Sequence, residues 1–496
     1  MKQPNIIYIL TDQHNPFITG CYGDDIVRTP NLDRLASQGV VFDNAYTPSP
    51  ICVPARMSLL TGCYPHKQDC WTNSDILPSG RPTFAHALGG AGYATRLVGR
   101  MHSIGPDQLR GFSERFVGDH STNWVGGTPH SLGILTGTSG PARVSIDKSG
   151  AGQSSYEVHD RDVVKSCQDL STIIAAEQAA PDAAPFFLHV GLMLPHQPYV
   201  SNAELFDYYH DRIPDPDTNA PDAEDEHPYL RDWKELTDTT DISPDDMRRA
   251  RAAYYGLVET TDRMIGEILE SYREKGLLEN TLVIYVSDHG DQIGERGLWW
   301  KQTFYEQSVR VPMIMSWPGR IPAGERRSQI VNLVDIAPTL VDAAQGDQVS
   351  QDDEKPEIDG TSLLQLATDG TAPWDNETYS EYCTDGMNKR MPQKVQQRMI
   401  RSGPWKLVYY HGYPSQLFNL EDDPLEMQDL VAVPQHADLV QSLQAKVLQG
   451  WDPDLISQKM EQNRRQKTIL SEWSQQTKPI DTYRWMIETN DNWLDS

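Results

Sequence analysis

Two stretches of the chain, Ile6-Ile7-Tyr8-Ile9-Leu10 and Leu282-Val283-Ile284-Tyr285-Val286, run apolar without a break for about the length of one strand. A strand with one face in water alternates polar and apolar residues. One that does not alternate is covered on both faces, as in a parallel sheet held between two layers of helices. Phe186–Met193, Ala94–Val98, Val40–Tyr46 and Val311–Ser316 read as further strands. Helical patterns separate them: Asn31–Gly39, about Thr83–Ala91, Ile330–Ala344, and a long amphipathic stretch from Asp245 to Lys275, opened by Ser243-Pro244 and stopped at Gly276. This alternation predicts an α/β fold over residues 1–345: a large, doubly wound, mostly parallel sheet flanked by helices.

Beyond the acidic, proline-bearing segment Gln345–Glu357 the texture changes. Arg398–Ser402, Trp405–Tyr410 and Gln416–Leu420 read as a meander and His436–Gln449 as a helix. Residues 346–450 are therefore expected to form a smaller C-terminal α+β unit carrying an antiparallel sheet. The polar tail, 451–496, with spaced Trp473, Trp485 and Trp493, is expected to pack on its own domain; homo-oligomer contacts are the sharper alternative. Gly118–Ser155, rich in Gly, Ser and Thr, reads either as an insertion that shapes a substrate site or as a plain surface loop. Asp215–Asp241 reads as an exposed acidic excursion or lid.

The formal net charge of -27 excludes nucleic acid as a partner, since nothing offsets repulsion by phosphates. An anionic substrate must then be drawn in by a local cationic pocket. No apolar run approaches membrane-spanning length, so no membrane partner is expected. Met1–Asn5 runs straight into a strand with no leader pattern, and a cytoplasmic location is the expectation. The six cysteines do not form a disulfide framework; Cys63 and Cys70 read as buried thiols before a pair.

Four strand ends carry chemistry: Asp12-Gln13, Arg100-Met101-His102, His196 and Asp288-His289. In a parallel sheet these ends share one edge, where ligands bind. Asp12, Asp288 and His289 make a divalent-metal set to which Gln13 can add its amide oxygen. Carboxylates favour Ca²⁺ or Mg²⁺, and the imidazole shifts the balance toward Mn²⁺ or Zn²⁺. Cys52 precedes Pro54 and a helical run that stops at Gly62, so it sits at or just before a helix N-terminus, with Arg56 one turn on. That placement suits a nucleophile attacking an anion.

Cys52-x-Pro54-x-Arg56 followed by Ser58-Leu59-Leu60-Thr61-Gly62 resembles the signature of the type I sulfatases of the alkaline phosphatase superfamily. Gly99-Arg100-Met101-His102 is similar to the family's G-K-x-H element, with arginine in place of lysine. Pro195-His196-Gln197-Pro198 is similar to its P-H-x-P segment, and Lys301 to a lysine that contacts sulfate. The pairing of Asp12-Gln13 with Asp288-His289 resembles the choline-sulfatase and phosphonate-monoester-hydrolase branch. The resemblance implies that a formylglycine-generating enzyme, acting on the unfolded chain, oxidises Cys52 to formylglycine. It also implies one metal on Asp12, Gln13, Cys52, Asp288 and His289, Ca²⁺ first, with Mn²⁺ or Mg²⁺ as alternatives.

The scheme so implied is hydrolysis of a sulfate monoester: a sulfated carbohydrate, an aryl sulfate or another small organic sulfate. The hydrated aldehyde at residue 52 attacks sulfur while Arg56, Arg100, Lys301 and the metal stabilise the sulfuryl oxygens. His196, helped by Lys301, protonates the departing alcohol, and His102 takes a proton from the second hydroxyl, releasing sulfate. Arg100 cannot inherit a proton-donating role from the lysine it replaces. A phosphonate monoester or phosphodiester hydrolase on the same scaffold is the alternative, and a non-catalytic anion- or glycan-binding protein the remote one. Choline sulfate would call for an aromatic or acidic cage, for which Glu381, Tyr382 and Trp299 are candidates.

Overall fold

A computed structural model describes residues 3–214, 226–345, 358–386 and 394–495. Its centre is an eight-stranded sheet. The strands are β1 (Asn5–Asp12), β2 (Val40–Tyr46), β3 (Ala94–Gly99), β4 (Glu114–Arg115), β5 (Phe186–Pro195), β6 (Thr281–Ser287), β7 (Met313–Ser316) and β8 (Glu325–Asn332), in the spatial order β8-β2-β7-β6-β1-β5-β3-β4. β1 pairs in parallel with both β5 and β6, and β3 pairs in parallel with β5. β7 alone runs antiparallel to its neighbours β2 and β6.

The apolar runs are covered on both faces. Ile6, Tyr8, Leu10, Ile284 and Val286 pack with Val53, Met57, Phe84, Ile336 and Leu340 from the helices Cys52–Thr61, Phe84–Gly90 and Ile336–Gln345. Ile7, Ile9, Val190, Val283 and Tyr285 pack on the other side with Leu35, Val163, Leu170, Leu257 and Ile268 from Pro30–Ser37, Ser155–Gln178 and Pro244–Arg273. A second sheet, antiparallel, joins Glu377–Cys383, Gln396–Ser402, Trp405–Tyr410 and Gln416–Asn419, and the Ala437–Leu448 helix packs on it. Its first strand is tied to the loop before Cys52, where Glu381 N donates to Pro48 O at 2.8 Å.

Four expectations need correction. Ile330–Asn332 belongs to β8, in parallel register with Asn44–Tyr46, and the helix begins only at Ile336. Within Asp215–Asp241, residues 215–225 lie outside the described residues, and Pro228–Thr237 is a helix that buries Tyr229, Leu230 and Trp233, not an exposed excursion. The Ser155–Gln178 helix was not anticipated, although Tyr156, Val163, Cys167, Leu170 and Ile174 recur on its buried face. Nor was the 25-residue helix Pro453–Thr477 in the tail. Residues 346–357, at the expected domain boundary, are not described. No helix among the described residues is long and apolar enough to cross a membrane.

The tail packs back on residues 118–155. Trp473 meets Trp124 edge-on at 5.2 Å, and Trp493 pairs with Gln153 in a short sheet. The Tyr483 carbonyl lies where a Cβ on Gly118 would fall, 1.5 Å away.

Two glycines set how the chain leaves β3. Gly99, at φ 88°, and Gly191 approach so closely that a Cβ on Gly191 would lie 1.9 Å from the Arg100 carbonyl oxygen. Arg100 N in turn donates to Gly191 O at 2.9 Å. Gly191→Ala is therefore expected to destabilise the fold by about 1–3 kcal/mol and to displace Arg100. Gly89→Ala, in a helix with nothing within 4 Å of the added carbon, should be neutral or stabilising by up to about 1 kcal/mol. Urea unfolding of both variants checks the contrast.

Candidate active site and metal centre

Cys52 opens a ten-residue helix that is buried on every side and ends at Gly62 in the left-handed region, φ 72°. A helix buried all round cannot rotate to relieve a misfit, so the position of Cys52 is fixed by the core. Its Sγ lies 3.7 Å from Asp12 Oδ1, 3.2 Å from His289 Nε2 and 3.3 Å from Lys301 Nζ. Asp12 ends β1, and Asp288 and His289 follow β6 directly, so the parallel pairing of these two strands brings them together.

The two carboxylates divide their oxygens in the same way. Asp12 Oδ2 accepts from Arg100 Nε at 2.6 Å and Arg56 Nη2 at 3.1 Å. Asp288 Oδ2 accepts from Arg56 Nε at 2.7 Å. Both Oδ1 atoms turn to His289 Nε2, at 3.7 Å from Asp12 and 3.5 Å from Asp288. Asp288 Oδ1 also accepts from the backbone N–H groups of Gln13 and His289.

His289 Nδ1 contacts the Gly290 carbonyl at 3.0 Å; a carbonyl only accepts, so Nδ1 carries the proton and Nε2 offers a lone pair. Burial holds this imidazole down to about 4, so it is neutral at pH 7. Lone pairs on two carboxylates, an imidazole and the residue 52 side chain thus converge within 4.8 Å of one another. Such a convergence of donors fits a divalent cation. Gln13, at φ 69°, is beside this set, but its amide oxygen accepts from Lys301 Nζ at 2.6 Å and its amide nitrogen donates to Gln197.

Burial pushes the Asp12 carboxyl upward. Arg100, His196, Arg56 and Lys301 outweigh it and hold the group well below the usual carboxylate range. Arg56, fully buried, spends Nε and Nη2 on the two carboxylates and Nη1 on the Arg100 carbonyl. It therefore ties the two carboxylates together and is not among the cavity-lining residues, although a contact with the sulfuryl oxygens had been expected of it. Arg100, Lys301, His102 and His196 do line a cavity of about 580 Å³ together with Cys52.

The two histidines differ in tautomer. Arg100 Nη2 donates to His102 Nδ1 at 2.9 Å, so the His102 proton resides on Nε2. His196 Nδ1 donates to the Gln197 carbonyl at 2.6 Å, so its Nε2 offers a lone pair, 3.9 Å from Asp12 Oδ1. Burial, reinforced by Arg100 at His102 and by Lys301 at His196, lowers both below the ordinary histidine value. In this resting arrangement His102 is a donor and His196 an acceptor, the reverse of the expected base and acid roles.

Two cage candidates fall away. Glu381 is buried against His66 at 2.6 Å and Arg398 at 3.4 Å, and Trp299 is buried in the core beside Tyr199. Tyr382 does line the cavity, with Trp71 and Tyr156.

Asp119 was missed in sequence, being one carboxylate at the start of an irregular stretch. Its Oδ2 accepts from His102 N at 2.9 Å and Arg115 Nη2 at 2.8 Å, and so sets the backbone that carries His102. Burial raises the Asp119 carboxyl, but Arg115, Arg100 and His102 overcome this and depress it strongly. A depressed carboxyl stabilises the fold above its unfolded value, near pH 4, and that contribution is lost as pH falls toward the folded value. Asp119→Asn should cost about 3–5 kcal/mol at pH 7, since it leaves buried arginine uncompensated, and the difference from the parent should shrink below about pH 4 in denaturant titrations.

Residues 4–346 match the family model for sulfatases, and residues 294–451 match the C-terminal model of N-sulphoglucosamine sulphohydrolase. A choline-sulfatase of Rhizobium meliloti (strain 1021) is 34% identical over 450 residues, covering 87% of this chain and 83% of the relative. An arylsulfatase of Clostridium perfringens (strain 13 / Type A) is 28% identical over 459 residues, covering 86% and 90%. Among solved structures, the phosphonate monoester hydrolase of Agrobacterium radiobacter superposes with a TM-score of 0.71 at 23% identity, covering 90% of this chain and 95% of that one. The chain belongs to the sulfatase family and is a hydrolase of sulfate esters.

Proposed function

We propose that Cys52 is converted to formylglycine and that, with one divalent cation on Asp12, Asp288, His289 and residue 52, the protein hydrolyses the sulfate monoester of a hydroxylated, saccharide-like alcohol. The observation that carries this reading is the meeting of the Cys52 side chain with the Asp12–Asp288–His289 set beneath Arg100 and Lys301. Gln13, whose amide oxygen accepts from Lys301 Nζ, would be able to add that oxygen to the set if Lys301 turned to the substrate. The preponderance of oxygen donors favours Ca²⁺, with Mn²⁺ and Mg²⁺ as alternatives. The cation supplies Lewis acidity that lowers the pKa of a hydroxyl on residue 52.

The chain's own residues do the rest. Arg100 and Lys301 place fixed positive charge at the cavity floor, where the sulfuryl group must sit. Arg100 Nη1 makes no hydrogen bond and lies 3.7 Å from Asp119 Oδ1. His196 Nε2 is the acceptor for the nucleophile's proton. His102 Nε2–H and the Lys301 ammonium are the donors available to the departing oxygen. Above this floor the walls carry Thr72, Asn73, Ser74, Ser121 and Ser139 beside the rings of Trp71, Tyr156 and Tyr382. Hydroxyls and amides around aromatic faces suit a polyhydroxylated ring, which offers both hydrogen bonds and apolar C–H faces.

A formylglycine-generating enzyme is the partner this reading requires. The mass of the peptide holding residue 52 should show aldehyde in place of thiol, and Cys52→Ala should lose at least about 10³-fold in turnover of an aryl sulfate. Full activity in that variant would refute the scheme. Exhaustive chelation should abolish turnover and lower the melting temperature, with Ca²⁺ restoring both better than Mg²⁺.

The likeness in fold to a phosphonate monoester hydrolase supports a second reading, hydrolysis of phosphonate monoesters or phosphodiesters at the same centre. Relative kcat/KM on an aryl sulfate and an aryl phosphodiester decides between them.

A further inference from the structure

Lys467 lies on the tail helix, far in sequence from every residue of the centre, yet it is 4% exposed and pairs with residues that line the substrate cavity. Its Nζ is 2.9 Å from Asp75 Oδ1 and 2.8 Å from Asp385 Oδ2, and it donates to the hydroxyls of Thr72 and Ser74. Asp385, Thr72 and Ser74 line the cavity, as does Ser471, one turn further along the same helix. Asp385 stands on the cavity wall with Trp71, Tyr156 and Tyr382. A carboxylate among aromatic faces is the chemistry that holds an organic cation. Here that carboxylate is already engaged by an ammonium from the protein itself.

We infer that Lys467 is a specificity-determining residue that offsets the charge of Asp385 on the cavity wall and so shifts the cavity away from cationic sulfate esters and toward neutral or anionic ones. The inference rests on the sulfatase reading above and adds the charge class of the alcohol. The Lys467 ammonium contacts Thr72, Ser74, Asp75 and Asp385, and not Arg100, His102, His196 or Lys301, so it acts on selection and not on the chemical step.

The test compares kcat/KM for choline sulfate, a cation beside its ester, with that for 4-nitrophenyl sulfate, which has no cation. In Lys467→Met the ratio of cationic to uncharged ester should rise about tenfold, because the ammonium that offsets Asp385 at the cavity wall is removed. In Asp385→Asn, which keeps the ammonium and removes one carboxylate, the ratio should fall several-fold. Both shifts should weaken as salt is raised. A purely structural tie would slow both esters alike and leave the ratio fixed. If Lys467→Met fails to fold, the ratio in Asp385→Asn decides alone. An active parent whose ratio stays unchanged in each folded variant overturns the inference; a parent inactive on both esters overturns the sulfatase reading, and the inference with it.

Discussion

The structure turns on the contact between Arg56 and two aspartates that end separate strands. Asp12 and Asp288 are fully buried, and each would be intolerable there alone, since taking an unpaired carboxylate out of water costs several kcal/mol. Arg56 reaches both with different nitrogens, and Arg100 adds a second cation to Asp12. The guanidinium fork is what permits this: a lysine offers one charged point and could not span two carboxylates. Because Arg56 sits one turn beyond Cys52, the ion pairs that relieve the carboxylates also fix the helix that carries Cys52. The oxygens the arginines do not take, both Oδ1, are the ones turned to His289.

The electrostatics of the centre follow from that arrangement. The chain as a whole is strongly acidic, yet Arg100 and Lys301 present positive charge at the cavity floor. The two histidines stay neutral in this field because burial and neighbouring cations both oppose their protonation. Their tautomers are set from behind, by Arg100 on one and the Gln197 carbonyl on the other. Asp119 holds the backbone of His102 in the left-handed region, φ 57°, and ties it to the arginine network.

Much of this was legible in the residues. Unbroken apolar runs gave away strands covered on both sides, and polar groups at their ends announced the edge where the site forms. The Cys52 helix could be bounded from Pro54 and Gly62. What escaped notice depended on contacts between distant segments. The role of Arg56 could not be separated from that of Arg100, since both are arginines near an anion site that pair with Asp12, and only geometry shows that Arg100 alone of the two lines the cavity. Glu381 and Trp299 looked like cage residues until His66, Arg398 and the core claimed them. The Pro453–Thr477 helix was hidden by its polarity: only Ile456, Met460, Lys467 and Ser474 are buried along it, too few for a clear amphipathic stripe. Ile330–Asn332 looked helical because the helix after it is apolar, whereas pairing with β2 decides its state.

Cys52 is 1% exposed, and what seals it includes Asp288 and His289, which follow β6. If an enzyme alters this thiol before those residues close over it, it would act after residue 52 leaves the ribosome and before β6 emerges and docks. At about 5–20 residues per second, that leaves an interval on the order of tens of seconds. Synthesis rate, and not only catalytic residues, would then govern what fraction of molecules in a cell is competent.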